Sequence, residues 1–229
     1  MSARLSRWLL APLAATALLG AAAPAFAKPS LAPVWSESAV IQRDMVVQVQ
    51  GYSTPNAAIT GVLGTDRASA KADGSGAFVL SFPARPASDQ PITLEVTDAD
   101  GATTVGGLVR GDVYLCSGQS NMAFTVSAGL NGGNNIRTSA DPLLRMLTVP
   151  LATAAVPARD FDGPVEWQAA SPETTGNFSA ACYYMLRALR SDEDVPMGAI
   201  HASWGGSKIR PWLSPASGRA LMARMTWRC

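Results

Sequence analysis

Ser120 stands where a serine can act as a nucleophile. It follows Gly111-Asp112-Val113-Tyr114-Leu115-Cys116, an apolar, β-branched and aromatic run that reads as a buried strand. Ser117-Gly118 then allows a tight backbone turn, and Gln119-Ser120-Asn121-Met122 reads as the start of a helix. A serine just past such a turn keeps its hydroxyl exposed. The unpaired backbone N–H groups of a helix start can stabilise an oxyanion. Acyl transfer through serine needs this arrangement, reached here without the G-x-S-x-G spelling. The competing reading is that Ser120 is a helix N-cap.

A second block belongs to the same chemistry. Met197 to Ala202 reads as a strand whose end delivers Ser203-Trp204-Gly205-Gly206-Ser207 into a loop. In an open α/β sheet, ligands bind at the strand C-terminal ends, so both blocks fall at one edge. A glycine in that loop lets a backbone N–H approach a substrate with no side chain in the way. The Ser120 N–H and the Gly206 N–H are the preferred oxyanion donors, with Gly205 as the alternative. Asn121 is expected to brace the nucleophile turn through its amide, beside Gln119. Trp204 either walls an acyl pocket or packs as a structural residue.

With these blocks the chain resembles the SGNH hydrolases, in particular their sialate O-acetylesterase-like branch. Gly111 to Met122 looks like that family's nucleophile block, in which the serine of G-Q-S-N attacks an ester. Trp167 to Pro172, leading into Asn177 to Tyr184, looks like the family's connection and following helix. Pro196 to Ser207 looks like its second block, and the three keep the family's order over roughly residues 31–214. The resemblance implies a serine esterase that removes O-acetyl groups from carbohydrates, with an acetylated sugar as partner and no metal or organic cofactor. Sialic acids are the family's named substrate; a related acetyl xylan esterase is a second possibility. A reading from another class is a non-catalytic glycan-binding or degenerate hydrolase fragment.

The family's catalytic base comes from an Asp-x-x-His near the C-terminus, and this sequence contains none. Its single histidine is His201, and Gly198 lies three residues before it. A structural role is expected for His201. The family's W-x-Q-G-E-type block is also missing, so the chain reads as cut off inside the catalytic domain and weak or inactive on its own. Arg210 stands where the family often carries an acidic residue, which leaves the sugar open.

The N-terminus reads as a targeting segment. Arg4 and Arg7 precede an apolar stretch from Trp8 to Ala23, and Ala25-Phe26-Ala27 fits a small-x-small cleavage site. Residues 1–27 are therefore expected to be a signal peptide, and the mature protein to be secreted or periplasmic. No later stretch reaches the ~18 consecutive apolar residues of a membrane span. Net charge is +1, with no basic block to engage a nucleic acid. The oligomeric state is left open. Of the three cysteines, Cys116 and Cys182 are expected to be buried thiols that pack as small hydrophobes, although an exported protein can form one disulfide. One histidine cannot build a metal cluster.

The elements that must position Ser120 fall into two stretches. Residues 28–108 read as an antiparallel β-sandwich. Phe78, Leu80 and Phe82 alternate on one strand and Ile92, Leu94 and Val96 on another, with Met45, Val47 and Val49 marking an earlier one. Residues 109–229 alternate strand and helix. Leu143 to Val149 is a predicted strand, residues 127–141 a surface loop and 151–176 mostly loop. Phe178 to Arg190 is the main helix, with Phe178, Cys182, Met185, Leu186 and Leu189 in one apolar stripe. The expected fold is α/β: the sandwich, then the first part of an SGNH-type, flavodoxin-like three-layer α/β/α domain.

Overall fold

A computed structural model describes residues 28–220, except Ala155, Pro157, Arg159, Asp162 and Pro215. The expected signal peptide and the tail Met225 to Cys229 lie outside the described residues. The first half of the chain is all strand: β1 (Ser30–Leu31), β2 (Val40–Gln42), β3 (Val47–Tyr52), β4 (Ala58–Leu63), β5 (Asp66–Lys71), β6 (Ala77–Phe82), β7 (Ser88–Thr97) and β8 (Ala102–Gly118). Then come α1 (Ser120–Ala123), α2 (Gly132–Arg137), β9 (Asp141–Thr148), β10 (Gln168–Ala170), α3 (Ala180–Glu193) and β11 (Met197–Ser203). Among the described residues no helix is long and apolar enough to cross a membrane.

The strands build two sheets. A small antiparallel sheet runs β1-β3-β6, and a larger one runs β10-β9-β11-β8-β7-β4-β5, with β2 beside β8. The period-2 pattern decides which faces meet: Val47 and Val49 of β3 and Phe78, Leu80 and Phe82 of β6 point inward. They share one buried cluster with Ile59, Leu63, Leu94 and Val96 of the larger sheet. This is the antiparallel sandwich. Met45 is not part of it: the strand begins at Val47, and Met45 is exposed in the turn before it.

β8 joins the two halves. Its first part pairs antiparallel with β7, while Asp112 to Gly118 pair parallel with β11. The strand therefore passes residues 108 and 109, where a domain boundary was expected, without a break. Gly106-Gly107, next to the expected boundary, forms a bulge. Leu108 pairs Ile92 and Val105 pairs Leu94, so β8 carries one extra residue there, with Gly107 at φ +67°.

The parallel part brings Thr148, His201 and Cys116 abreast on β9, β11 and β8. α3 covers one face, with Cys182, Tyr183 and Leu186 buried in a cluster with Leu144, Met146, Met197 and Ala199. The other face carries no helix among the described residues. There Trp167 and Val165 pack with Val40 in the sandwich cluster, and the Trp167 indole N–H donates to the Val34 carbonyl at 2.9 Å.

Three local expectations are corrected. Cys116 and Cys182 form a disulfide, because α3 crosses β8 close enough to bring their Cα atoms to 5.9 Å. In the helix stripe, Phe178 precedes α3, whose N-cap is Ser179 accepting from the Cys182 N–H, and Met185 is exposed on its outer side. Residues 127–141 are not a plain loop, since they contain α2 and the first residue of β9.

Candidate active site

Ser120 is the first residue of α1, directly after the end of β8. The turn between them depends on Gly118, whose φ of +148° is a conformation that side-chain-bearing residues rarely adopt. The Met122 and Ala123 N–H groups both donate to the Gln119 carbonyl, at 3.0 and 2.8 Å. Ser120 is exposed, and its hydroxyl meets Gln119 Oε1 at 3.4 Å. Asn121 does not brace this turn. Its side chain is exposed with no hydrogen bond among the described residues, and the backbone bonds to Gln119 close the turn instead.

The loop after β11 lies against this turn. Ser203 pairs with Gly118, and the Trp204 N–H donates to the Gly118 carbonyl at 3.0 Å. A Cβ on Gly205 would sit 3.8 Å from Ser120 Cα, so a bare backbone is the immediate neighbour of the serine. Gly206, the residue preferred from sequence, has φ +78° and nothing within 4 Å of where its Cβ would be. The structure thus brings Ser120 and Gly205 together and leaves Gly206 one step away. Trp204 is 38% exposed, so it is a surface residue of the loop and not a buried structural tryptophan.

Beneath the turn lies a buried polar pair. His201 Nε2 and Ser203 Oγ are 2.6 Å apart, and both residues are buried. The His201 ring meets Phe178 edge-on, with centroids 5.4 Å apart. Burial holds the imidazole pKa below its ordinary value, and the Met122 backbone pulls the other way. Met122 is also held from α3's side, where Ser179 Oγ lies 3.3 Å from its sulfur. His201 is thus engaged with Ser203 inside the fold.

Two anchors that sequence reasoning missed fix β8 where its parallel part begins. Asp112 accepts a two-pronged bond from Arg43, Nε and Nη2 each at 2.9 Å, and a third from Gln42 Nε2 at 3.2 Å. The only signal was a carboxylate at the entry of an apolar strand. At Gly111, any Cβ would collide with the Pro196 carbonyl, so glycine lets the chain entering β11 approach β8. Among the described residues, no group of three His, Cys, Asp or Glu side chains is placed to hold a metal ion.

No family model matches the chain. It is 31% identical over 206 residues to a sialate O-acetylesterase of Pongo abelii, an alignment covering 80% of this chain and 39% of that protein. A sialate O-acetylesterase of Rattus norvegicus is 31% identical over 210 residues, covering 86% and 36%. The crystal structure of a carbohydrate acetylesterase from Xanthomonas citri superposes with a TM-score of 0.80 at 35% identity, covering 82% of this chain and 43% of that one. The chain thus spans well under half the length of the relatives it matches. Over the part it spans, the chain belongs to the sialate O-acetylesterase-like family.

Proposed function

We propose that Ser120 is the nucleophile of an esterase that removes O-acetyl groups from carbohydrates. The observation that carries this reading is the bare Gly205 backbone against the first residue of α1, tied there by the Trp204 bond to Gly118. Ser120 Oγ attacks the acetyl carbonyl carbon, and the carbonyl oxygen becomes an oxyanion facing the Ser120 and Gly205 N–H groups. The hydroxyl proton passes to a base, and the sugar oxygen leaves with a proton. Water then attacks acetyl-Ser120, releasing acetate and restoring the serine.

Among the described residues, no histidine or carboxylate hydrogen-bonds the Ser120 hydroxyl. The sequence has one histidine, and its ring is buried against Ser203 and Phe178. The 229-residue chain alone is therefore a slow esterase, since loss of one member of a catalytic triad costs several powers of ten in rate. Sialic acids are the substrate suggested by the relatives' names. Export from the cytoplasm is supported by the N-terminal pattern and by a disulfide, which persists in oxidising compartments.

Ser120 is testable without turnover. With imidazole added as an external base, a fluorophosphonate should label the chain at Ser120, as mapped by peptide mass spectrometry, and Ser120→Ala should abolish the label. Labelling at another serine, or equal labelling of the variant, contradicts the assignment.

A further inference from the structure

The one histidine of the chain takes no part in the proposed chemistry, yet it lies where the parts of the site meet. His201 sits near the end of β11, which closes at Ser203, and the Gly205 loop follows directly. Its Nε2 lies 2.6 Å from Ser203 Oγ. Ser203 is buried, and among the described residues its hydroxyl makes no other hydrogen bond. The Trp204 N–H, next along, donates to the Gly118 carbonyl at 3.0 Å. The root of the Gly205 loop is thus held twice, once through backbone and once through His201.

The same ring lies against α1. The Met122 backbone is close enough to favour a proton on it, as a carbonyl does. α1 is four residues long, so its carbonyls lack partners inside the helix, and among the described residues no backbone N–H bonds that of Met122. Nδ1 is buried and has no other partner there. Burial disfavours the charged imidazolium, so one ring nitrogen carries a proton and the other accepts. A proton on Nδ1 serves the Met122 carbonyl and leaves Nε2 to accept from the Ser203 hydroxyl. The opposite tautomer leaves Nδ1 a buried acceptor with no donor facing it among the described residues. Phe178 stands edge-on to the ring, and Thr148 and the disulfide-bonded Cys116 flank it in register, so none of these neighbours brings a charge.

We propose that His201 is a positioning residue: its neutral, Nδ1-protonated ring bridges the Met122 carbonyl and the Ser203 hydroxyl and so fixes the Gly205 N–H relative to Ser120. The role rests on the esterase reading of Ser120 and deepens it. His201 makes no bond to the Ser120 hydroxyl and acts through the loop. An oxyanion donor works only at hydrogen-bond distance from where the charge develops, and a displacement of about 1 Å can cost about 10²-fold in rate.

Two measurements on the untagged full chain test this. His201 is the only histidine, so in the ¹⁵N-labelled protein its two ring nitrogens give the only imidazole signals. At about pH 8, above the ordinary histidine pKa, Nδ1 should resonate as protonated and Nε2 as unprotonated. The reverse pattern, or the averaged signals of a freely exchanging imidazole, overturns the proposal. The second measurement is the rate at which a fluorophosphonate labels Ser120 with imidazole added. His201→Leu should lower the limiting rate at saturating probe by about tenfold to hundredfold, with little change in probe affinity. His201→Gln, which can still accept from Ser203, should label at least about threefold faster than His201→Leu. Ser203→Ala should also slow labelling, and adding it to His201→Leu should cost nothing further, because the pair acts as a unit. Wild-type rates in His201→Leu, a loss confined to probe affinity, no recovery with Gln, or additive losses overturn the role. Should His201→Leu not fold, Ser203→Ala and the ring-nitrogen signals decide. A wild-type chain unlabelled at Ser120 removes the nucleophile and this role with it, whereas a labelled wild type with unaffected variants removes the role alone.

Discussion

At the scale of residues, the site consists of one exposed hydroxyl and the backbone around it. The placement of Ser120 just past a tight turn at Gly118, with the glycine loop after β11 beside it, was legible because small residues at a strand end mark turns. The choice between Gly205 and Gly206 was not legible, since it depends on how β11 meets β8. Nor was Asn121's idle side chain, because the backbone bonds to Gln119 already close the turn. His201 offers a measurable consequence. Its folded pKa lies below the ordinary 6.5, so the unfolded chain takes up a proton that the folded chain refuses. The neutral ring's contribution is fully present above pH 6.5 and is lost as pH falls from there toward the lowered folded value. Chemical denaturation across that window should show stability falling with pH, and His201→Gln should flatten that part of the profile. An unchanged slope in the variant would place the titration elsewhere.

At the scale of elements, alternation and glycine punctuation carried most of the strands. β6, β7, β9 and β11 lie close to where the pattern put them. β4 and β5 escaped notice because short runs with Gly61, Ser69 and Lys71 carry a weak apolar signal. The disulfide was illegible for another reason. Nothing in a spacing of 66 residues says that α3 crosses β8 at Cys116. That bond ties the nucleophile strand to the helix behind it, four residues before Ser120. Closing a loop of this length is worth about 4 kcal/mol in the chain-entropy limit. Non-reducing peptide mapping should recover Cys116 linked to Cys182. Cys116→Ser with Cys182→Ser should lower unfolding stability by up to that amount. Recovery of both as free thiols would remove the link.

At the scale of the whole molecule, the two halves share a strand and a buried cluster. β8 belongs to both, and one buried cluster runs from Val49 and Leu80 in the sandwich to Leu147 and Trp167 in the second half. Gly106-Gly107, beside the expected boundary, is a bulge inside a continuous strand, which sequence alone could not distinguish from a boundary. Calorimetry should therefore give one thermal transition for the mature chain. Two resolved transitions would mean that the halves unfold independently.

The central proposal is that Ser120 is a nucleophile with the Gly205 loop beside it and, among the described residues, no base at its hydroxyl. Acetate release from an O-acetylated sugar, with and without added imidazole, tests it directly. The wild-type chain should run near background alone. Imidazole should restore part of the about 10²-fold or more that a general base supplies, and only while Ser120 is present. Rapid turnover without imidazole, or an equal rise in Ser120→Ala, would contradict the account.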